Sequence, residues 1–377
     1  MKAVSIDPTK VTKCVLVIGL VLALFLPETP FAGSQYQPEA PALQHSSVIS
    51  HPNFVSPHAN PIAVHANKVF VVNTPSDSLE VIDARTHRVV ARIAVGVDPV
   101  SVAVRPDGRE IWVSNHVSDS VSVIDIASGS PTYLQVVATI QDFDRQRKAT
   151  SFDEPMGIAF ADNDKAYVAL SSDNQIAVVD VQSRQIRKRL TITAQDPRAI
   201  AVRDGKLYVL PFESNNQTQL SGGMKDAIDG DLVTFDAVAH SIVTNSKLSL
   251  GHVLDIVKHP DMPDRDLYVF DTKTDQLLRT VSSLGTLLYG LAIDSKGTVF
   301  VAQTDARNDV NGRAGTQKHG LAEMDNRAFL NQITRVDSSV PESGTPTFFD
   351  LEPLPPEHPR PEKALATPYG TAISADA

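Results

Sequence analysis

The sequence predicts an all-β fold, because one phrase recurs along the chain, β-rich runs follow it, and turn residues separate the runs. The phrase is clearest at Asp98-Pro99-Val100-Ser101-Val102-Ala103-Val104, Glu154-Pro155-Met156-Gly157-Ile158-Ala159-Phe160, Asp196-Pro197-Arg198-Ala199-Ile200-Ala201-Val202 and Thr367-Pro368-Tyr369-Gly370-Thr371-Ala372-Ile373. Self-similarity at a period of about 40 residues is typical of a β-propeller. We therefore predict four-stranded antiparallel blades, about six to seven in number, of which the last is incomplete.

The recurring phrase is predicted to form the first, innermost strand of each blade. Innermost strands crowd around the propeller axis, where bulky side chains would collide. A small residue accordingly stands two places after the Pro position, at Ala63, Ser101, Gly157, Ala199, Gly290 and Gly370. A turn follows, as in Arg105-Pro106-Asp107-Gly108, where glycine tolerates a positive φ.

The next three strands of each repeat are predicted from alternating, β-branched runs. Second strands include Val69–Val72, Ile111–Val113 and Ala166–Val168, and fourth strands include Val89–Ile93, Val136–Ile140 and Ile186–Leu190. Third strands end in aspartate, at Asp83, Asp125, Asp180 and Asp236, often with a hydroxyl residue three places on, as at Thr86, Ser128 and Ser183. Because these aspartates recur at one position, we interpret them as turn-closing residues rather than catalytic acids. The segment Val253–Ser283 is expected to be a short blade around Leu267–Asp271.

The two ends of the chain are predicted to differ from the repeats. Residues 1–34 have the lysines, the apolar run Val15–Leu26 and the small residues of a signal peptide. Residues 35–58 form a Pro-rich leader, and the propeller occupies 59–377. The only cysteine is Cys14, so the exported chain would have no disulfide, thiolate metal site or haem c motif. Since the last phrase stops before its second strand, we expect a piece of a longer protein.

Two repeats carry a more specific pattern. Val113-Ser114-Asn115-His116 followed by Ser120-Val121-Ser122-Val123-Ile124-Asp125, and Val71-Val72-Asn73-Thr74 followed by Leu79-Glu80-Val81-Ile82-Asp83, resemble the YVTN-repeat propeller family of surface-layer-type and periplasmic proteins. The resemblance implies an exported propeller, commonly of seven blades, in the periplasm or at the cell surface. It implies no single activity. Some larger relatives of this type carry a cytochrome c-like domain after the propeller.

Candidate functional residues lie in loops predicted to open on one rim of the propeller. Long insertions fall there, at Asp142–Phe152, Glu213–Asp231 and Asp305–Arg327, and loops on a rigid scaffold commonly build binding surfaces. The ligand-binding candidates are His116, Glu213, Asp305, Arg307, Arg313 and His319. His116, Glu213 and Asp305 follow second strands, so they could converge to hold a metal or to act as acid and base; the alternative is three separate solvated residues.

The composition limits the possible partners and cofactors. With 44 acidic against 34 basic residues, the chain lacks the basic balance of a nucleic-acid-binding domain. No metal or cofactor site is evident; Asp305–Gly312 resembles a calcium loop only weakly, because Arg307 stands at a ligand position. The histidines are too few and too scattered for a multinuclear copper centre.

Two functional hypotheses follow. The first is a monomeric, exported scaffold, without catalytic activity and without a membrane span, whose loop-rich face binds a protein, a polymer or a small ligand. The alternative is a propeller enzyme or redox-accessory domain, similar to a lactonase-like hydrolase or part of a cytochrome c-linked oxidoreductase, that uses His116, Glu213 and Asp305. A third, weaker hypothesis is binding of single-stranded DNA through Arg307, Arg313 and Lys318.

Overall fold

The computed structural model describes residues 56–213, 218–220, 234–235, 254–257, 264–307, 325–337 and 346–374. Sheet 1 contains β1 (Ile62–His65), β2 (Lys68–Asn73), β3 (Ser78–Asp83) and β4 (Arg88–Ala94). Sheet 2 contains β5 (Pro99–Val104), β6 (Glu110–Asn115), β7 (Ser120–Asp125) and β8 (Val136–Ile140). All strand pairs in both sheets are antiparallel, as predicted from the repeat.

A short hairpin, β9 (Phe143–Asp144) with β10 (Ala149–Thr150), lies between sheets 2 and 3. Sheet 3 contains β11 (Pro155–Phe160), β12 (Lys165–Leu170), β13 (Gln175–Asp180) and β14 (Gln185–Thr191). Two 3-10 turns, Thr74–Ser76 and Pro361–Lys363, are the helical elements of the described ranges, in which no helix is long and apolar enough to cross a membrane.

The fourth sheet corrects the predicted division of the chain. It begins with β15 (Gln195–Arg203) and β16 (Lys206–Glu213). The next strands, β17 (Thr218–Leu220), β18 (Thr234–Phe235) and β19 (Leu254–Val257), form a separate three-stranded sheet. Sheet 4 is completed by β20 (Leu267–Asp271) and β21 (Leu277–Val281), and β20 pairs directly with β16. Thr234–Phe235 is therefore not the third strand of this sheet, and β20 and β21, which were predicted to belong to a short blade of their own, complete sheet 4.

Sheet 5 contains β22 (Leu287–Ile293), β23 (Val299–Ala306), β24 (Phe329–Val336) and β25 (Thr347–Asp350). The pairing of Glu213 with Leu287 connects sheets 4 and 5 at one edge. With this continuous eight-stranded sheet counted as sheets 4 and 5, five units of four strands lie in the described ranges. The total of six to seven blades stays a prediction.

Consecutive sheets pack face to face, which is the packing of a β-propeller. Successive side chains of a strand point to opposite faces. On β6, Ile111 and Val113 join the core shared with sheet 1, whereas Trp112 joins the core shared with sheet 3, and all three are fully buried. Two further cores join sheet 3 to sheet 4 and sheet 4 to sheet 5. The prediction of a propeller built from four-stranded antiparallel sheets is confirmed.

Two of the small residues in the first strands, Gly157 and Gly290, lie closely against the neighbouring chain, as predicted. A Cβ on Gly157 would lie 2.3 Å from the Arg198 carbonyl oxygen of the next first strand. A Cβ on Gly290 would lie 2.7 Å from the carbonyl oxygen of Tyr369. Arg198 and Tyr369 both follow the proline of their phrases. Tyr369 therefore lies against the first strand of sheet 5 in the same way that Arg198, in the first strand of sheet 4, lies against the first strand of sheet 3.

The recurring aspartates close hairpins, as predicted. Three of them accept hydrogen bonds from the amide and the hydroxyl of the residue three places on: Asp83 from Thr86, Asp180 from Ser183 and Asp271 from Thr274. Asp236 lies outside the described residues. In sheet 2 the predicted partner Ser128 is wrong. Asp125 accepts from the hydroxyls of Ser130 and Thr132, because the turn there is longer.

These hydrogen bonds predict an acid-sensitive fold. The Ser183 hydroxyl and amide, with the Arg187 guanidinium, hold the pKa of Asp180 below its ordinary value. A carboxylate with a lowered pKa stabilises the fold above its unfolded-state pKa of about 4, and this stabilisation is lost as the pH falls through the folded-state value. We expect Asp180→Asn to lower the urea midpoint near pH 7, with a difference from wild type that narrows towards about pH 3.

The control for this prediction is Asp204→Asn, which changes an aspartate of a different hairpin whose side chain is 71% exposed. Its urea midpoint should follow that of the wild type at each pH. A constant difference between Asp180→Asn and wild type across the titration would contradict the assignment.

Candidate ligand-binding cleft at the loop rim

The rim is the edge of the sheets that carries the inter-blade loops and the loops between second and third strands. Several polar side chains on this rim form hydrogen bonds that hold the inter-blade loops in place. In three successive repeats a turn side chain accepts a hydrogen bond from the backbone amide of the residue before the proline of the next first-strand phrase. The pairs are Asp77 with Asp98 at 2.9 Å, Asp119 with Glu154 at 3.1 Å and Asn174 with Asp196 at 2.8 Å. These bonds fix the inter-blade loops, so the turn side chains are not free for chemistry.

His116 follows β6 on this rim and contacts the next blade. Its Nε2 lies 3.9 Å from Glu154 Oε2, and the same carboxylate oxygen accepts a hydrogen bond of 3.2 Å from Ser171 Oγ. The backbone amide of His116 donates to the Asp98 carbonyl oxygen at 2.9 Å. His116 is therefore held between sheets 2 and 3.

Glu213 and Asp305 lie near each other, at the junction of sheets 4 and 5. Glu213 pairs with Leu287, and the neighbouring Thr286 hydroxyl donates to Asp305 Oδ1 at 3.2 Å. The described contacts thus bring these two carboxylates towards one edge, whereas His116 contacts a different blade interface. Within the described ranges, no three acidic, histidine or cysteine side chains are grouped to hold a metal ion.

Arg307 is the third predicted residue near this junction. Its Nη1 donates to the Arg327 carbonyl oxygen at 3.1 Å, and its Nη2 lies 3.5 Å from Asp325 Oδ2. The candidates Arg313 and His319 lie outside the described residues, as does most of the weak calcium-like stretch after Asp305. Arg307 therefore acts as a support for the segment that leads into β24.

A cleft of about 680 Å³ opens beside the contact between Arg307 and Arg327. It lies between the rim of sheet 5 and the Pro-rich segment that follows β25. This volume is within the range of small-molecule sites. Its lining is Leu287, Tyr289, Thr304, Asn326, Arg327, Ala328, Phe329, Asn331, Glu352, His358, Pro359, Ala364, Leu365, Ala366 and Thr367. We call this space the rim cleft.

The rim cleft has a polar floor, which is formed by the ion pair between Arg327 and Glu352. Arg327 Nη2 lies 3.1 Å from Glu352 Oε2, and the two side chains are only 10% and 7% exposed. Asn331 Nδ2 donates to Glu352 Oε2 at 3.1 Å, and the Leu365 amide donates to Glu352 Oε1 at 2.8 Å. A buried pair whose remaining lone pairs are hydrogen-bonded avoids an unpaired charge. The pair also fixes the Pro-rich segment to sheet 5.

An aromatic cluster continues from the cleft along the first strands. Tyr289 lines the cleft, meets Phe212 edge-on with ring centroids 5.4 Å apart, and lies 5.5 Å from the Tyr369 ring. The Arg198 guanidinium lies 3.7 Å from the centre of the Phe212 ring and pairs with Asp196. We call Arg198, Phe212, Tyr289 and Tyr369 the aromatic arc. Sheets 2 and 3 have fully buried aliphatic side chains, Val100 and Met156, at the first-strand position of Arg198.

The exposed end of the aromatic arc is a neutral phenol. Tyr369 is 40% exposed. Partial burial raises the pKa of its hydroxyl, and the nearby Arg198 charge opposes this effect only in part. Tyr369 therefore stays protonated at neutral pH and can both donate and accept a hydrogen bond.

Sequence reasoning missed the residues of the cleft and of the arc. His358 lies in a Pro-rich segment. Arg327 precedes β24 and Glu352 follows β25, so no sequence motif contains both residues. A signal for the arc was nevertheless present. Tyr289 and Tyr369 occupy the phrase position that holds Val100 and Met156 in earlier repeats. A residue type that differs from the other repeats at one position of the phrase indicates a role that is specific to its own repeat.

Comparisons with known proteins support the fold and leave the function open. No family model matches the chain, and no curated protein sequence matches it. A solved structure of hydrazine synthase from Kuenenia stuttgartiensis is similar, with a TM-score of 0.54 and 21% identity over 81% of this chain and 70% of that chain. A likeness at this identity shows the fold alone. The WD40 β-propeller domain of Doa1 has a TM-score of 0.41 and 8% identity, over 64% of this chain and 58% of that chain.

Proposed function

We propose that this chain is a binding propeller without catalytic activity, and that the rim cleft is its ligand site. The observation that carries the proposal is the cleft itself, which combines a fixed polar floor with apolar and aromatic walls on a rigid sheet edge. Loops held by a rigid scaffold are the common location of binding sites. Glu213, Asp305 and Arg307 would border this site rather than line it.

The enzyme hypothesis receives less support from the contacts. It needs His116, Glu213 and Asp305 around one reacting group. His116 contacts Glu154 between sheets 2 and 3, whereas Glu213 and Asp305 adjoin Thr286 and Leu287 between sheets 4 and 5. The binding proposal requires no cofactor and no convergence of these residues.

The remaining parts of the proposal rest on the sequence. Residues 1–34 support export to the periplasm or cell surface, residues 35–58 a Pro-rich leader, and residues 59–377 a monomeric propeller related to the YVTN-repeat family. A partner on the rim would be a protein, a polymer or a small ligand, and nucleic acid is disfavoured by the acidic composition.

The test is a thermal-shift screen of the purified chain with neutral oligosaccharides, proline-rich peptides and small carboxylic acids. A ligand that binds only the folded state raises the melting temperature. We expect at least one class to shift the wild type, and we expect Phe329→Ala to abolish that shift. The matched control is Phe143→Ala, because Phe143 is a comparably exposed phenylalanine on the hairpin after sheet 2. Shifts that survive Phe329→Ala, or no shift with any class, would overturn the proposal.

A further inference from the structure

The charges around the rim cleft and the aromatic arc cancel in pairs. Arg327 is paired with Glu352, Arg198 with Asp196, and Arg307 with Asp325. An ionic ligand gains most where its charge meets an uncompensated opposite charge. These three cations are already neutralised, and the exposed Glu213 beside Leu287 disfavours an anion further. The site therefore disfavours an anionic ligand.

Exposed aromatic rings lie both in the rim cleft and beyond it. Phe329, which lines the cleft, is 48% exposed, and Tyr369 is 40% exposed. The half-buried Tyr289 belongs to both the cleft and the arc, because it lines the cleft and lies 5.5 Å from Tyr369. Aromatic rings offer flat apolar contact area, and tyrosine adds a polar tip. A ligand longer than the cleft would meet a second stacking surface at Tyr369.

The polar side chains that line the cleft near these rings carry mainly amide, imidazole and hydroxyl groups. Asn326, Asn331 and His358 line the cleft with amide and imidazole groups, and Thr304 adds a hydroxyl. The side chain of Thr304 is buried, and its Oγ1 has no hydrogen-bond partner within the described residues. Amides and hydroxyls both donate and accept, so they suit a ligand with many neutral hydroxyl groups.

From this combination we infer that the rim cleft and Tyr369 bind a neutral oligosaccharide, with one sugar unit in the cleft and a further unit stacked on Tyr369. A sugar ring has an apolar face that stacks on an aromatic ring and an edge of hydroxyls that hydrogen-bond to amides. The inference rests on the proposed binding function and adds to it the ligand class and a second subsite. A proline-rich peptide is the competing occupant, since aromatic-lined grooves also bind such segments.

The experiment uses the purified chain on an array of neutral glycans, followed by calorimetric titration with the best-bound oligosaccharide. The same protein is titrated with oligogalacturonate and with a polyproline peptide. We expect a neutral glycan to bind with an affinity that is insensitive to added salt, because counterion screening acts on charged ligands. Tyr369→Ala should weaken binding at least tenfold, and Tyr369→Phe should keep most of the affinity because the ring remains.

The matched control is Tyr133→Ala. Tyr133 is 38% exposed and lies in the turn between β7 and β8, away from the cleft, so the affinity of this variant should equal that of the wild type. Glycan binding that Tyr369→Ala leaves unchanged would overturn the second subsite. Binding of oligogalacturonate or polyproline alone, lost in Phe329→Ala, would refute the glycan inference while the binding function stands. Binding of no probe would reject both.

Discussion

Replacing Gly157 with alanine is expected to destabilise the propeller by about 3 kcal/mol, because a methyl group cannot fit between two first strands. The added Cβ would lie 2.3 Å from the carbonyl oxygen of Arg198, which is backbone and cannot rotate away. The first strand of sheet 4 would have to move, and with it the inner end of the core that sheets 3 and 4 share. The free energy of unfolding, from urea titration followed by circular dichroism, measures this effect.

Gly370→Ala is the control within the same repeat register. Gly370 stands at the same place in its phrase, but nothing lies within 4 Å of the Cβ that alanine would add there. Its free energy of unfolding should differ from wild type by less than about 0.5 kcal/mol. Equal effects of the two substitutions would contradict the close approach of first strands as the reason for small residues at this position.

Removing the carboxylate of Glu352 is expected to have an effect of similar size at the rim cleft. Glu352→Ala would leave the Arg327 guanidinium buried without its anion, and would remove the acceptor of the Asn331 amide and of the Leu365 backbone amide. Breaking a buried, hydrogen-bonded ion pair costs about 3 kcal/mol or more. We expect residues 352–367 to detach from sheet 5 before global unfolding.

Hydrogen exchange followed by mass spectrometry measures this detachment directly. Peptides that cover residues 352–367 should exchange faster in Glu352→Ala, while peptides from sheets 1–3 should keep the protection of the wild type. Glu357→Gln is the control, because Glu357 is an exposed glutamate of the same segment. Unchanged exchange in Glu352→Ala would show that the ion pair does not hold the segment. The ligand binding proposed for the cleft should fall with the loss of protection.

The repeats allowed most of the fold to be predicted from the sequence. Side-chain alternation and turn residues are local, so β2, β7 and β13 could be located without knowledge of their partners. The same locality explains the error in sheet 4. Leu267–Asp271 had the pattern of a middle strand, but local pattern does not state that its partner is β16, more than 50 residues earlier.

The candidate site was predictable only in part, for the same physical reason. The placement of the long loops and of the candidate residues on one rim stays a prediction; in the structure Glu213 pairs with Leu287 and Arg307 contacts Arg327, and both partners line the cleft. The residues that build the cleft were not found, because Tyr289, Arg327 and Glu352 come from separate elements and share no spacing. Of the two alternatives for His116, Glu213 and Asp305, convergence or separate positions, the described contacts place His116 at a different blade interface from the two carboxylates, because position within a repeat does not specify the blade.

The sequence by itself determined the all-β repeat, the small residues near the axis and the aspartates that close the hairpins, since each depends on neighbours within a few positions. The tertiary structure alone decided which strands complete sheet 4, how Arg327 meets Glu352, and that Tyr289 joins a cleft to Tyr369. Those contacts join elements distant in sequence, and their geometry depends on how the sheets pack rather than on any local preference of the chain.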